Sequence, residues 1–411
     1  MTLHLAAHRA TTRHLSSAYL LQAEAALPCA GPVVGLDALS GQPFSFDPFT
    51  LYAEGIITNP NLLVLGQLGT GKSTLAKLLC WGLSALCGHG LAVLDPKGEY
   101  GPLAELLGLA RLRLEPGGRT RLNPLEATGA EAAADARRRG AEVVVALASS
   151  GLGRALRPDE RAAVEVALGC LAESPCLPAV VEALLSPTAA MAQDLRTSKT
   201  ALALSCREAA LELRRLVAGD LAGMLDAPST VRLDPAGPGV VIDLSACYRS
   251  PAALGPVMVA AGTWLTETLA RPGRRRVLVL DETWQVLGDP GVGRWLRSTM
   301  KLARALGVAV ALLTHTLSDF ESVGTAGSEA ARLSSALVAD TATRALLAQP
   351  DPAVGRTAEI LDLGPPEAAL LPRLARGRAL WRVGPAAALV HHLVPAPLMA
   401  AVDTDARIEG R

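Results

Sequence analysis

A glycine-rich turn between an apolar run and a helical pattern constrains the fold of this chain more than any other feature. Four aliphatic residues, Leu62–Leu65, stand directly before GQLGTGKS, and TLAKLLCWGL follows with helical spacing. The turn, Gly66 to Ser73, matches the pattern G-x4-G-K-[ST]. Glycines in such a turn let backbone N–H groups converge on an anion at the start of the next helix. The sequence therefore predicts a strand, a phosphate-binding loop and a helix.

The residues of this loop have distinct expected contacts with a nucleotide. Lys72 is predicted to reach the β- and γ-phosphates and to act in catalysis, while the Ser73 hydroxyl coordinates Mg²⁺. The predicted nucleotide-binding residues are Gly66, Gln67, Leu68, Gly69, Thr70, Gly71, Lys72, Ser73 and Thr74.

A second apolar run supplies the acidic groups that such a loop requires. Val277–Leu280 is followed by Asp281 and Glu282. We expect Asp281 to hold Mg²⁺ through a water molecule and Glu282 to polarise the water that attacks the γ-phosphate. An acidic pair also occurs as an ordinary loop start, but GTPases and small-molecule kinases rarely need one at a strand end. With the phosphate loop, the pair favours an ATPase that uses Mg²⁺ over a protein that only binds ATP.

Several further apolar runs predict the rest of the sheet. They are continuous rather than alternating, which is typical of a mostly parallel sheet with helices on both faces. The predicted strands are Leu62–Leu65, Leu91–Leu94, Arg111–Leu114, Val240–Leu244, Val277–Leu280 and Val308–Leu313. The predicted fold class is therefore α/β, of the RecA-like phosphate-loop NTPase type. After about residue 318 the chain is expected to return to helices and to end in a hairpin of ALWRVG and ALVHHLV.

The chain is predicted to contain one ATPase domain with additions. Residues 129–235 read as helical with no clear strand, and we interpret them as an all-helical insertion into a domain formed by residues 51–128 and 236–411. Residues 1–50 are expected to form an N-terminal arm with a small β element. No apolar stretch reaches the roughly 20 residues that a membrane helix needs, so we predict no transmembrane helix.

Charge and cysteine content restrict the partners and the compartment. Lys+Arg and Asp+Glu each total 39, so no global basic field indicates nucleic acid, although a local basic channel is compatible with this balance. The seven cysteines form no C-x-x-C pair, which argues against zinc ribbons and disulfide frameworks. A reduced, cytoplasmic setting is the default. A metal site at His391-His392 is not expected, because no cysteine or acidic residue has suitable spacing.

Three motifs that follow predicted strands, DPKGEY, DETW and THTLSDF in that order, resemble the HerA–FtsK superfamily of ring motors. Within it, the chain is most similar to the VirB-type motor ATPases of type IV secretion and conjugation, particularly those of actinobacterial conjugal transfer. The similarity covers about residues 31–407, includes RLNPLEA and the terminal LARGRALWRVG segment, and is weakest in the helical insertion.

This resemblance implies a homo-oligomeric ATPase ring, expected to be a hexamer, at the cytoplasmic face of a membrane-bound secretion or conjugation channel. It would power transfer or channel assembly, with DNA as a candidate substrate. The alternatives are a DNA-gripping translocase or coupling protein of the FtsK type, and a nucleotide-dependent scaffold with slow hydrolysis. Such motors usually carry a larger N-terminal domain, so we expect a short form or a trimmed chain.

The resemblance also suggests two further catalytic residues. Many relatives carry glutamine after the third strand, where this chain has Thr314-His315. A histidine can hydrogen-bond a phosphate oxygen or the attacking water, so His315 is predicted to sense the γ-phosphate; a polar strand cap is the alternative. Arg304 fits best the arginine that reaches the γ-phosphate of the next protomer, ahead of Arg294 and Arg297. A DNA contact or a solvated helix face is the alternative for Arg304.

The DPKGEY segment is expected to border the nucleotide or a subunit interface. Asp95, Lys97 and Glu99 follow a predicted strand, and parallel sheets bind ligands at the carboxyl ends of their strands. A plain Pro-Lys-Gly turn is the alternative.

Overall fold

The computed structural model describes residues 30–126, 133–171, 175–269, 273–282, 289–315, 317 and 336–402. Its strands are β1 (Val33–Asp37), β2 (Pro43–Ser45), β3 (Leu62–Leu65), β4 (Gly90–Asp95), β5 (Ala110–Arg113), β6 (Gly239–Asp243), β7 (Arg276–Leu280), β8 (Val308–Thr314), β9 (Thr343–Leu346), β10 (Arg378–Val383) and β11 (Ala386–His392). Its helices are α1 (Pro48–Ala53), α2 (Lys72–Ala85), α3 (Gly101–Leu107), α4 (Ala133–Leu152), α5 (Pro158–Cys170), α6 (Leu177–Leu185), α7 (Ala189–Asp194), α8 (Lys199–Ser205), α9 (Arg207–Ala218), α10 (Pro251–Leu269), α11 (Pro290–Leu306), α12 (Asp351–Leu361), α13 (Pro365–Leu370) and α14 (Met399–Val402).

The strands form one sheet in the order β2-β1-β11-β10-β9-β3-β8-β7-β4-β6-β5. From β9 to β5 all neighbouring strands are parallel. From β9 to β2 all neighbours are antiparallel. The predicted α/β class with a mostly parallel sheet is confirmed, and each predicted strand and the terminal hairpin are present.

The central strands are buried on both faces, which explains why their sequences lack alternation. Successive side chains of a strand point to opposite faces. In β3, Leu63 and Leu65 join the apolar cluster on one face of the sheet. Leu62 and Val64 join the cluster on the other face. Because neither face meets water, no position in such a strand favours a polar residue.

Between β5 and β6, the regular elements among the described residues are the helices α4 to α9. Helix α4 packs against α10 and α11, which cover one face of the sheet. Side chains of α4 to α9 belong to the same buried cluster as that face. The division into an ATPase domain and a helical insertion stays a prediction. In the part of the chain that the structure describes, no helix is long and apolar enough to cross a bilayer.

Strand β9 is absent from the sequence prediction. Its four residues, TRAL, include a threonine and an arginine, so they show neither a continuous nor an alternating apolar pattern. In the sheet, β9 nevertheless pairs with β3 on one side and with β10 on the other. It becomes a strand because its neighbours supply hydrogen-bond partners for its backbone.

Candidate active site

The predicted motifs meet at the carboxyl edge of the parallel strands. Strands β3, β8, β7 and β4 lie side by side in that order. The phosphate loop follows β3, His315 follows β8, the Asp281-Glu282 pair follows β7, and Lys97 lies just beyond β4. Since parallel strands end at a common edge, the sheet order alone brings these side chains together.

Helix α2 begins without a side-chain cap. Its N-cap is Gly71, at φ 103°, and no side chain accepts a hydrogen bond there. Helices α1 and α11, in contrast, are capped by the carboxylates of Asp47 and Asp289. The first N–H groups of any helix have no acceptor within the helix. The start of α2 is therefore suited to an anion such as a phosphate.

The base of the loop has no space for a larger residue. A Cβ added at Gly66 would lie 2.7 Å from the Leu347 Cβ and 2.8 Å from the Thr70 Oγ1. Thr70 Oγ1 in turn donates to the Gln67 carbonyl at 2.7 Å. The tight turn, the two glycines with positive φ at Gly69 and Gly71, and the uncapped helix together fit a chain of phosphates.

Lys72 is folded back onto its own loop. Its side chain is buried, and Nζ donates to the Gly66 carbonyl at 2.6 Å and to the Gln67 carbonyl at 3.2 Å. Nζ also lies 3.0 Å from His315 Nδ1. An ammonium carries three protons and no acceptor, so it donates to Nδ1. Phosphate oxygens can replace the loop carbonyls as acceptors for the same protons.

Glu282 is engaged through both carboxylate oxygens. Its Oε2 lies 3.1 Å from His315 Nε2, and its Oε1 accepts from Lys97 Nζ at 2.6 Å. The side chain of Glu282 is only 3% exposed. Partial burial opposes the charge of Lys97, but the hydrogen bond and the charge of Glu282 outweigh it and raise the pKa of Lys97. The result is a continuous polar chain from Lys72 through His315 and Glu282 to Lys97.

The neighbours of His315 define where its proton lies. Lys72 can only donate, so Nδ1 is the acceptor, and the Glu282 carboxylate can only accept, so Nε2 carries the proton. The imidazole therefore links the phosphate-binding lysine to the acidic residue by two directional hydrogen bonds. A glutamine amide could bridge a donor and an acceptor in the same way.

Glu282 adopts a backbone conformation that is unusual for its residue type. Its φ is 53°, in the left-handed region that non-glycine residues occupy at a cost of about 1–2 kcal/mol. Its N–H donates to Asp281 Oδ1 at 2.9 Å, and Lys97 and His315 hold its side chain. Strain of this kind persists where surrounding contacts over-determine a residue, and it is concentrated at functional sites.

Asp281 is a buried carboxylate suited to a cation. Burial and the nearby charge of Glu282 raise its pKa to about 6. Its Oδ2 accepts from the Tyr100 hydroxyl at 3.0 Å. A divalent cation would favour the charged form that burial disfavours. Carboxylate, hydroxyl and water oxygens are ligands that Mg²⁺ prefers, so Asp281 and Ser73 fit the predicted metal role.

The DPKGEY turn owes its shape to Asp95. This carboxylate accepts from the backbone N–H groups of Gly98, Glu99 and Tyr100 at 2.8, 3.1 and 2.9 Å. The turn thereby directs Lys97 to Glu282 and Tyr100 to Asp281. The sequence analysis selected the DPKGEY segment but predicted neither the contact of Tyr100 with Asp281 nor that of Lys97 with Glu282. The DPKGEY motif was the feature of the sequence that could have indicated both residues.

The structure brings Lys72, Asp281, Glu282 and His315 together but leaves Arg304 apart. Arg304 is exposed in the last turn of α11, just before the amino end of β8, whereas His315 follows its carboxyl end. Arg304 is therefore at the opposite edge of the sheet from its own phosphate loop, and its action on a neighbouring protomer stays a prediction. Residues 283–288 of the DETW segment, and residues 316 and 318–320 of THTLSDF, lie outside the described residues.

Comparison with known proteins finds similarity in sequence and in fold. Residues 48–138 match the family model described as the central domain of the helicase HerA. A segment of 50 residues is 44% identical to the type IV secretion system protein CagE of Helicobacter pylori. That match covers 12% of this chain and only 5% of CagE.

Solved structures with the same fold cover most of the chain. VirB4 of Thermoanaerobacter pseudethanolicus superposes with a TM-score of 0.70 at 22% identity, over 89% of this chain and 97% of VirB4. The bacterial conjugative coupling protein TrwBdeltaN70 gives 0.61 at 17% identity, over 89% of each chain. TrwB in complex with the ATP analogue ADPNP gives 0.61 at 17% identity, over 90% and 96%. The predicted resemblance to HerA–FtsK and VirB-type proteins is confirmed, and at these identities it establishes the fold.

Proposed function

We propose that this chain is an Mg-ATP-hydrolysing ring motor that serves conjugative or type IV secretion transfer, or the assembly of its channel. The observation that carries the proposal is the polar chain Lys72–His315–Glu282, which connects an uncapped phosphate-binding helix to a buried carboxylate. A protein that only bound nucleotide would not need a strained, buried glutamate at this position.

Each residue of the site would have a separate role in ATP hydrolysis. Lys72 would exchange the carbonyls of its loop for oxygens of the β- and γ-phosphates. Ser73 and Asp281 would hold Mg²⁺, which supplies charge neutralisation on the phosphates when it is bound. Glu282 would orient the attacking water and accept its proton.

The hydrogen bonds of the site link the phosphate-binding lysine to Glu282. A carboxylate has about four acceptor positions, so Glu282 can accept a proton from water while Lys97 and His315 hold it. Lys72 also contacts His315 Nδ1. When Lys72 Nζ turns to a phosphate oxygen, His315 Nδ1 loses this hydrogen-bond donor. The imidazole can then rotate or form a different hydrogen bond. His315 would in this way couple occupancy of the γ-phosphate position to the position of Glu282.

The partners follow from the relatives. TrwB is named a coupling protein of conjugation and has been solved with ADP and Mg²⁺, and CagE is named a type IV secretion protein. These names support ATP, Mg²⁺ and a membrane-bound secretion or conjugation channel as ligands and partner of this chain. We place the protein at the inner face of the cell membrane, as a hexamer in which Arg304 of one protomer reaches the next.

A second candidate function is that of a coupling protein that grips DNA. The similarity to TrwB favours it, since TrwB carries that name and the same fold. The two functions differ in what stimulates hydrolysis. A motor that acts on channel proteins should turn over ATP without DNA, whereas a translocase should need DNA and lose stimulation steeply as salt rises.

The test is steady-state ATP hydrolysis by the full chain, alone and with single-stranded or duplex DNA, across a salt series. We expect Mg²⁺-dependent turnover that Glu282→Gln abolishes. Strong, salt-sensitive stimulation by DNA would favour the coupling protein. Turnover no higher than that of Glu282→Gln under every condition would leave a nucleotide-dependent scaffold and overturn the proposal.

A further inference from the structure

Three side chains with metal-binding atoms meet at the amino edge of the parallel strands. They are Asp47, Cys87 and His89, and the carboxylate oxygen, thiol sulfur and imidazole nitrogen that they offer all lie within 4.8 Å of one another. His89 directly precedes the amino end of β4, whereas Lys97 follows the carboxyl end of the same strand. The group therefore lies at the opposite edge of the sheet from the phosphate loop, and the proposed hydrolysis does not use it.

We propose that Asp47, Cys87 and His89 bind a zinc ion that links the start of α1 to the loop between α2 and β4. Carboxylate, thiolate and imidazole are the zinc ligands of proteins, and bonds of about 2.0–2.3 Å in a tetrahedral site place two ligand atoms roughly 3.3–3.6 Å apart. His89 Nε2 and Asp47 Oδ1 are 3.3 Å apart, which is long for a charge-assisted hydrogen bond of about 2.7–2.9 Å. That separation matches one edge of a zinc site, and a shift of roughly 1 Å by the half-buried Cys87 side chain completes a second edge.

Two of the three ligands come from a short loop that α2 holds in place. Gly88, which separates Cys87 from His89, has a φ of 70°, in the left-handed region that glycine adopts at little cost. The Gly88 N–H donates to the Ser84 carbonyl at 3.1 Å, and the His89 N–H donates to the Leu83 carbonyl at 3.0 Å. The loop is thus tied to the last turn of α2, so an ion would not have to order it on binding.

The two buried ligands, Asp47 and His89, have the supporting contacts that orient metal ligands in proteins. Asp47 Oδ1 also accepts from the Phe49 N–H at 3.0 Å, and Asp47 Oδ2 accepts from the Thr50 hydroxyl at 2.8 Å. A carboxylate has about four acceptor positions, so these two bonds leave a position for an ion. The His89 ring packs edge-on against the Phe49 ring, with centroids 4.8 Å apart. Both ligands are therefore held in position by neighbours that would not have to move.

The charges of the three ligands balance the charge of the ion. Zn²⁺ would replace the thiol proton of Cys87, which passes to solvent, and would take the place of the proton between His89 Nε2 and Asp47, leaving a neutral ring protonated on Nδ1. Two anionic ligands and a neutral imidazole then give a site without net charge, which avoids the cost of burying an unpaired ion. A neutral site is also compatible with the Arg275 guanidinium, which lies over the Phe49 ring at 5.6 Å from its centroid.

The test compares Zn²⁺ binding by the metal-stripped full chain with binding by matched cysteine variants. Cys87→Ala removes a ligand at a half-buried position, and Cys170→Ala, at an exposed cysteine at the end of α5, is the control. Calorimetry is performed in excess Mg²⁺, which prefers oxygen ligands and would occupy Asp281. Wild type and Cys170→Ala should bind one Zn²⁺. In Cys87→Ala the affinity should fall by at least about 100-fold, because losing a hydrogen bond that orients a ligand already costs about 10- to 100-fold.

Two further measurements report the ligands directly. Co²⁺ bound to a thiolate gives a charge-transfer absorption in the near ultraviolet, which wild type and Cys170→Ala should show and Cys87→Ala should lose. Asp47→Asn keeps an oxygen that can cap α1, so it should retain the fold while it weakens Zn²⁺ binding. The melting temperature of wild type should rise with Zn²⁺, and that of Cys87→Ala should not. Equal Zn²⁺ affinity in wild type and Cys87→Ala, or a folded wild type that binds no Zn²⁺, would overturn the inference.

Discussion

The ion pair between Lys97 and Glu282 allows the catalytic and structural roles of Glu282 to be measured apart. Two substitutions, Glu282→Gln and Lys97→Met, each remove one charge from the ion pair, whose contact is 2.6 Å long. Only the first removes the carboxylate that we assign as the base. Comparing the two variants therefore separates loss of the pair from loss of the base.

The stability cost follows from burial. Glu282 is 3% exposed and Lys97 is 23% exposed, so water can partly solvate the lysine but not the carboxylate. Breaking a buried pair by removing one partner costs several kcal/mol when the other is left uncompensated. Here His315 still forms a hydrogen bond with Glu282, so we expect Lys97→Met to lower the free energy of unfolding by about 1–3 kcal/mol. In Glu282→Gln the amide has one oxygen where the carboxylate has two, so either Lys97 Nζ or the Nε2–H of His315 loses its acceptor. We therefore expect a similar fall in the free energy of unfolding.

Turnover should separate the variants. Loss of a general base slows a reaction by about 10²- to 10⁴-fold, so Glu282→Gln should reduce kcat by that factor while the Kd for ATP changes little. Lys97→Met keeps the base and should retain kcat within about tenfold of wild type. The measurements are urea denaturation without nucleotide, calorimetric ATP binding, and steady-state hydrolysis at saturating Mg-ATP.

Two results would refute this reasoning. Hydrolysis by Glu282→Gln at the wild-type rate would remove Glu282 as the base. An equal fall in kcat for both variants would mean that the ion pair, rather than the carboxylate, is what hydrolysis requires. Lys97→Arg, which keeps a cation beside Glu282, serves as the control and should resemble wild type in stability.

Three further predictions follow from other parts of the site. Lys72→Met should weaken ATP binding and reduce kcat by at least about 10²- to 10³-fold, measured by calorimetry and phosphate release; wild-type turnover would contradict the role of the loop. His315→Gln should retain hydrolysis, because an amide can bridge Lys72 and Glu282 as the imidazole does, whereas His315→Leu should lower kcat; equal kcat for wild type and both variants would exclude His315 as the sensor. Because His392 has a pKa of about 4 when folded and an ordinary value of 6.5, the unfolded chain binds a proton first as pH falls. Stability should therefore fall by about 3 kcal/mol between pH 6.5 and 4, and His392→Gln should lose that part of the pH dependence in urea denaturation.

The sequence by itself determined the phosphate loop, the strands around it and the acidic pair. These features are local: a glycine pattern sets backbone conformations within eight residues, Gly66 to Ser73, and a strand buried on both faces must be apolar throughout. The order of motifs along the chain also indicated the fold class. His315 was predicted as a γ-phosphate sensor from the resemblance to the ring motors, and it lies near the loop because the carboxyl ends of parallel strands share an edge.

Only the tertiary structure decided which side chains touch. The contacts of Lys97 with Glu282 and of Tyr100 with Asp281 join residues 185 and 181 positions apart. They exist because β4 lies beside β7, and nothing in the local pattern of either strand states that order. Strand β9 likewise depends on sheet order, because β3 and β10 lie on either side of it. Periodicity reports whether a residue is buried, whereas the identity of its neighbour is set by how distant strands are arranged in the sheet.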